Sequence, residues 1–327
     1  MLTIRKLAAG RQRREKRGVM FNSRHFICEQ VAEGVYALIS RELGGAMSNA
    51  GIIDMGEYSL VFDTFNSPQA GADLRAAALS LLNKPIRYVI NSHWHGDHVK
   101  GNQSFLQETR ISTQFTREKT AEALPGWLSF MRGLMPNLES DISKANAAIL
   151  AETDEALKQK YSAEKIYLEE IKESIETLEP APPNLTFEGV MTLYGTKRSV
   201  ELRPMGAAHT MCDTILLLPD DKLAFTGDII VVHNHPLLAD GDAYAWLKVL
   251  DQMDAMNLDK LIPGHGPATG PEAIRTVTHY IEDILELSRQ NKHLTSSEEI
   301  QRIKIPAKYQ DWGASSVFYK NLESLLL

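Results

Sequence analysis

The sequence predicts an α/β layered fold, and three observations carry that expectation. Short β-branched and aromatic runs recur in two series along the chain. Segments of helical periodicity separate them in each series. Polar turns bearing histidine or aspartate follow several of the apolar runs directly. No internal repeat is visible at the periods of solenoid proteins.

Taken in order, the elements begin between about Val31 and Phe65. There GVYALIS, NAGIIDMG and YSLVFDTF are bounded by Gly and Asn and read as antiparallel strands. Residues 68–84, PQAGADLRAAALSLLNK, join helix formers to helical spacing. IRYVIN (86–91) has strand length, and ISTQF leads into a helix at about Glu118. From there to Leu178 the pattern stays helical. Trp127, Phe130, Met131 and Leu134 share one face, and Leu150, Leu157, Tyr161, Leu168, Ile171, Ile175 and Leu178 fall three, four or seven apart. This reads as a helical hairpin inserted over residues 118–180 and packed on the domain; a lid or a homodimer contact is the sharper alternative. Strands resume at VMTLYG, SVELRPMG, TILLLPD and KLAFTGDII. A helix near Ala243–Met256, the short strand KLIPG and a helix over Pro271–Lys292 follow. One domain over 23–327 is expected, with 294–327 as a C-terminal extension.

Composition narrows the function classes. Of 327 residues, 43% are apolar, ample for a buried core, and 24% are charged, as in ordinary soluble proteins. The net charge is −7, yet residues 1–20 hold seven Lys/Arg against Glu15 alone, so the body is strongly acidic. An acidic body repels polyanions, which argues against nucleic acid as a partner. The Arg13–Arg14 pair lacks a following apolar region, so residues 1–22 read as a basic, disordered leader, with Met20 as a candidate translation start. No apolar run reaches the length of a membrane span. Cys28 and Cys212 are the only cysteines and give no disulfide framework, which suits a cytoplasmic protein.

The chemistry concentrates in SHWHGDHVKGN, where His93, His95, Asp97 and His98 fall within six residues. In extended backbone His93 and His95 project to the same side. Asp97 and His98 join them only if the chain turns sharply, as it does between a strand end and a helix start. Imidazole and carboxylate are the ligands that zinc and other borderline metals accept. GAAHT adds His209, FTGD adds Asp228 and IPGHG adds His265, each beyond an apolar run. Taken singly, each of these also fits a capping aspartate or a histidine satisfied in a turn.

Together these motifs, in this order, resemble the metallo-β-lactamase superfamily of hydrolases, over about residues 31–290. The resemblance implies an αββα sandwich of the metallo-β-lactamase type with a dinuclear site at one edge of its sheets. His93, His95 and His209 would hold one divalent ion, Asp97, His98 and His265 the second, and Asp228 would bridge them. The ions implied are zinc, with manganese or iron(II) as alternatives. A shared water, acidified to hydroxide, would attack an acyl carbonyl, with Asp97 orienting it and taking its proton. Asp63, Asp213 and Thr210 stand where similar proteins place groups that support the ligands.

Departures within the pattern narrow the substrate. Asp228 at the bridging position resembles glyoxalase II-like and unassigned metallo-hydrolases rather than dedicated β-lactamases, for which weak activity is the expectation. The reading is therefore a hydrolase of a small ester, thioester, lactone or amide. An oxidoreductase resembling the mononuclear iron persulfide dioxygenases is the first alternative, and a non-catalytic interaction protein working through the helical hairpin is the other. The loop VVHNHPLLADGDAYAW offers His233, His235 and Trp246 as a substrate wall or as plain structure. GGAMSN (44–49) reads as a mobile hairpin near the cleft, and His25 as a surface residue.

Overall fold

The computed structural model describes residues 21–327, so the basic leader read over 1–22 lies almost wholly outside the described residues. The first sheet contains β1 (Phe26–Ala32), β2 (Val35–Ser40), β3 (Ala50–Asp54), β4 (Ser59–Phe62), β5 (Ile86–Ile90), β6 (Thr109–Thr113) and β7 (Leu185–Phe187), in that spatial order. Pairing is antiparallel from β1 to β4 and parallel from β4 to β7. The second sheet holds β8 (Met191–Tyr194), β9 (Ser199–Gly206), β10 (Asp213–Leu218), β11 (Leu223–Val231) and β12 (Lys260–His265). Only its β11–β12 pair is parallel.

Alternation along the strands explains why the sheets stack. Ile53 and Phe62 of the first sheet meet Leu216, Phe225 and Ile262 of the second, while neighbours Ile52 and Val61 point to the opposite face. That outer face is covered by α1 (Pro68–Leu82) through Leu74, Ala77 and Ala78. Ser67 caps α1 by accepting from the Ala70 amide, Pro68 opens it, and Asn83 closes it in the left-handed region. A short helix α2 (Gly96–Val99) follows β5. Between β6 and β7 come α3 (Gln114–Gly133), α4 (Met135–Ala151) and α5 (Glu155–Thr177). The second sheet's outer face is covered by α6 (Ala243–Asp254), α7 (Glu272–Gln290) and, beyond the short α8 (Ser297–Ile300), α9 (Ser315–Leu326). Trp246, Val277, Ile281 and Phe318 pack there on Ile215, Leu217 and Ile229. The layers are α/β/β/α, as the resemblance implies. Among the described residues no helix is long and apolar enough to cross a membrane.

Several expectations need correction. The insertion is three helices spanning 114–177, not a hairpin over 118–180: Pro136 opens α4 in its first turn, and Asp154 caps α5 by accepting from the amides of Ala156 and Leu157. Its apolar seam is buried only at one end, where Ile175 and Leu178 meet the core; Leu150 and Leu157 are exposed. Residues 294–327 are integral rather than appended, since Phe318 and Leu322 are fully buried and Asn321 bonds the backbone of Pro236 and Leu238. Loop 44–49 is tied down: Asn49 Nδ2 donates to the carbonyls of Pro263 (2.8 Å) and Gly266 (2.7 Å). His25 is buried, with Nδ1 2.7 Å from Asp73 Oδ2 and Nε2 3.2 Å from Glu170 Oε2.

Candidate metal centre

The strand ends of both sheets meet at one edge and place all seven sequence-predicted donors together. His93 and His95 lie in the turn after β5, and α2 carries Asp97 and His98. His209 follows β9, Asp228 lies within β11, and His265 ends β12. Their donor atoms form two groups: His93, His95, His209 and Asp228, and Asp97, His98 and His265. Within each group the atoms lie within 4.8 Å of one another. The Asp228 carboxylate reaches both, with Oδ2 3.3 Å from His209 Nε2 and 3.2 Å from His265 Nε2, and Oδ1 3.2 Å from His98 Nε2. Its neighbour across the β11–β12 pair has to be glycine, because a Cβ at Gly264 would overlap Oδ1 of Asp228.

Hydrogen bonds on the far side of each ring decide which nitrogen is left for a ligand. Carbonyls and carboxylates only accept, so the ring nitrogen facing them must carry the proton. His98 Nδ1 donates to Asp63 Oδ2 (2.8 Å), His209 Nδ1 to the Leu237 carbonyl (3.0 Å) and His265 Nδ1 to the Met47 carbonyl (3.1 Å). Ser92 Oγ donates to Asp63 Oδ2 (2.7 Å) and therefore accepts from His93 Nδ1 (2.9 Å). All four rings thus turn Nε2 inward. His95 is reversed: Nε2 donates to Asp240 Oδ2 (3.0 Å), and Nδ1 faces His209 Nε2 at 2.8 Å.

This donor set fits divalent metal. His93 Nε2, His98 Nε2 and Asp228 Oδ1 are buried without a hydrogen-bond partner, an arrangement costly to a protein unless something fills it. Imidazoles, once neutral, and carboxylates are donors that borderline divalent metals accept. Burial pushes the His98 ring down, but Asp228, Asp97 and Asp63 override it and hold the ring well above its usual range. His265 is likewise opposed by burial and pushed up to about 10 by Asp228 and Asp97. Burial, with the neighbouring rings of His98 and His95, keeps His93 well below its usual value, and burial takes His209 down to about 3. Against burial, the surrounding imidazoles hold Asp97 and Asp228 below the usual carboxylate range.

The signs give a test. With His98 held above its usual range and His265 pushed up to about 10, both rings are expected to be protonated at pH 7 in the metal-free protein, and those protons must leave before their Nε2 atoms ligate. Zinc binding is expected to release on the order of two protons, and affinity should rise with pH. Calorimetry in buffers of different ionisation enthalpy measures this; a pH-independent affinity would count against ligation by these two rings.

The supporting residues divide. Asp63 anchors both His93, through Ser92, and His98, and it sits in the left-handed region at φ 57°. Thr210 and Asp213 bond each other instead: the Thr210 amide and hydroxyl both donate to the Asp213 carboxylate at 2.8 Å, fixing the turn after His209. Burial pushes Asp213 up to about 7. Of the three residues read as a substrate wall or as plain structure, two are structural. Trp246 is fully buried behind His209 with its indole N–H on the Ile229 carbonyl, and buried His235 bonds the Tyr280 hydroxyl. His233 is exposed but is not among the residues lining the cleft. Charged lining residues that the sequence did not single out are Asp240, Lys100 and Lys320. Asp240 resembled an ordinary turn aspartate, and no fixed spacing links it to His95. Asp240→Asn is expected to weaken metal binding about 10- to 100-fold by releasing the His95 ring. Competition with a metal-sensitive dye reads this, and unchanged affinity would remove Asp240 from the positioning role.

The cleft over the cluster has a volume of about 370 Å³ and is walled by Trp94, His95, Asp97, Leu124, Leu237 and Asp240, among others. Known proteins agree with this architecture. The chain is 24% identical over 271 residues to a linear primary-alkylsulfatase from Pseudomonas sp., covering 78% of this chain and 49% of that protein. It is 35% identical over 60 residues to an atrochrysone carboxyl ACP thioesterase from Claviceps purpurea, covering 18% of this chain and 19% of that one. The chain thus spans about half the length of the first relative and a fifth of the second. A metallo-beta-lactamase from Pontibacter korlensis superposes with a TM-score of 0.57 at 15% identity, covering 79% of this chain and 99% of that one, a likeness of fold. The sequence profile of the metallo-beta-lactamase superfamily matches residues 43–265, and the chain belongs to that superfamily.

Proposed function

We propose that the protein is a zinc-dependent hydrolase with a dinuclear centre, cleaving a small ester, thioester, lactone or amide. One observation carries this: seven donor atoms converge in two groups, with a single buried carboxylate, Asp228, reaching both. His93, His95 and His209 would hold one ion, and Asp97, His98 and His265 the other. Such ions, when bound, make water acidic near neutral pH and stabilise negative charge developing on a carbonyl oxygen.

The chain's own residues supply the rest. Asp97 has 19% of its side chain exposed, against 7% for Asp228 and 1% for Asp63, and it lines the cleft, where the other lining carboxylate, Asp240, is engaged by His95 Nε2. Asp97 takes the proton of the attacking water. Trp94 and Leu237 line the mouth and shed solvent from the reacting bond. Relatives named as an alkylsulfatase and an acyl-carrier-protein thioesterase support ester-type bonds as the class.

The test is metal content by mass spectrometry on protein purified without added metal, followed by ester, thioester, lactone and β-lactam substrates. Two equivalents of zinc per chain are expected, with activity lost on chelation and restored by zinc. One iron per chain with oxygen consumption would transfer the protein to the dioxygenase reading.

A further inference from the structure

The helical insertion encloses a second cavity, of about 210 Å³, against the core. Met47 of the β2–β3 connection, Trp127 and Met131 of α3, and Tyr167 and Ile171 of α5 give it apolar faces. Polar groups also border it, but they are already engaged. Ser67 Oγ donates to Glu170 Oε1 (2.5 Å), and Ser174 Oγ donates to Gln69 Oε1 (3.0 Å). Glu170 is further paired with Arg24 and His25. Apart from Asn66 and Lys100 at one end and the Tyr167 hydroxyl, the surface left for a ligand is apolar. Two methionines in that surface adapt to flexible occupants better than rigid side chains would.

This cavity adjoins the metal cleft, because Met47, Asn66, Lys100 and Trp127 line both. At the junction Lys100 Nζ lies 3.6 Å from the centre of the Trp127 ring and donates to Asn66 Oδ1 at 2.8 Å. That places a cation at the boundary between a polar, metal-binding end and an apolar end. We infer that the cavity holds the aliphatic chain of the substrate, which is then an amphiphile: a hydrolysable polar head at the His/Asp cluster and a chain packed between α3 and α5. At about 30 Å³ per water-sized group, the volume suits a chain on the order of seven carbons. The insertion is thereby a specificity element. The inference rests on the hydrolase reading for the head, but its chain-binding half is testable alone.

The experiment has two arms on the zinc-loaded full-length protein. In the first, calorimetry follows binding of straight-chain carboxylates from butanoate to decanoate. Affinity should rise about three- to fourfold per added methylene until the cavity is full. Ile171→Trp, which fills the cavity from α5, should flatten that rise; Met131→Trp repeats the test from α3 should the first variant fold poorly. In the second arm, kcat/KM is measured for p-nitrophenyl esters from acetate to decanoate, with the same dependence on chain length. A flat carboxylate series in the wild type, or an unchanged slope in both folded variants, overturns the chain site. Zinc-dependent ester hydrolysis without chain preference overturns it too and leaves the hydrolase standing. A carboxylate slope with no ester, thioester or lactone turned over supports the chain site and sinks the hydrolase reading instead.

Discussion

Replacing Asp228 by asparagine is expected to lower hydrolytic turnover by on the order of 10³-fold, about 4 kcal/mol of transition-state stabilisation. The side chain is nearly isosteric, so the loss isolates charge rather than shape. Among the described residues Asp228 is the carboxylate that approaches both groups: its two oxygens sit 3.2–3.3 Å from His98, His209 and His265. The amide offers one acceptor and no negative charge, so the two groups would no longer share an anion. Metal stoichiometry should fall with activity. A folded variant that keeps two zinc ions and wild-type kcat would remove Asp228 from the bridging position.

Asp63→Ala should produce the largest loss of stability among the residues that touch no cleft, about 3–5 kcal/mol. Asp63 is 1% exposed and receives the Ser92 amide (2.8 Å), the Ser92 hydroxyl (2.7 Å) and the His98 ring (2.8 Å). Truncation leaves three buried donors without a partner. It also forces alanine to hold φ near 57°, a region that Asp and Asn tolerate better. Asp63→Asn keeps that tolerance and an acceptor oxygen, so it should cost less. Urea unfolding of the metal-free proteins measures both. A loss below about 1 kcal/mol for the alanine variant would show that Asp63 is not the anchor of the His93 and His98 turn.

Much of the architecture could be read from residues because local pattern and tertiary role coincide there. Continuous apolar runs in YSLVF and TILLL located strands whose two faces meet two different cores. The HxHxDH spacing announced donors because a turn after a buried strand leaves those side chains nowhere else to point. Where role depends on distant partners, sequence was silent. β7 is three residues long, and it is a strand only because β6 pairs with it. Trp246 reads equally as a substrate wall or as plain structure in a histidine-rich loop, and only the fold decides, placing it on the buried face of α6. His25 gave no sign of burial, because its acidic partners lie 48 and 145 residues away. Asp240 escaped for the same reason, lying 145 residues from the ring that it orients.

The placement of the donors across both sheets also sets an order of events. His93, His95, Asp97 and His98 hang from the first sheet, while His209, Asp228 and His265 hang from the second. Each group of donors in the cluster draws on both sheets. Neither half of the chain can assemble a group before the other half has docked. Metal capture would therefore follow the docking of the two sheets. A bound ion would tie residues 93 and 95 to residues 209 and 228 as a crosslink would, and a nascent chain that stops before β11 has no complete group to offer it.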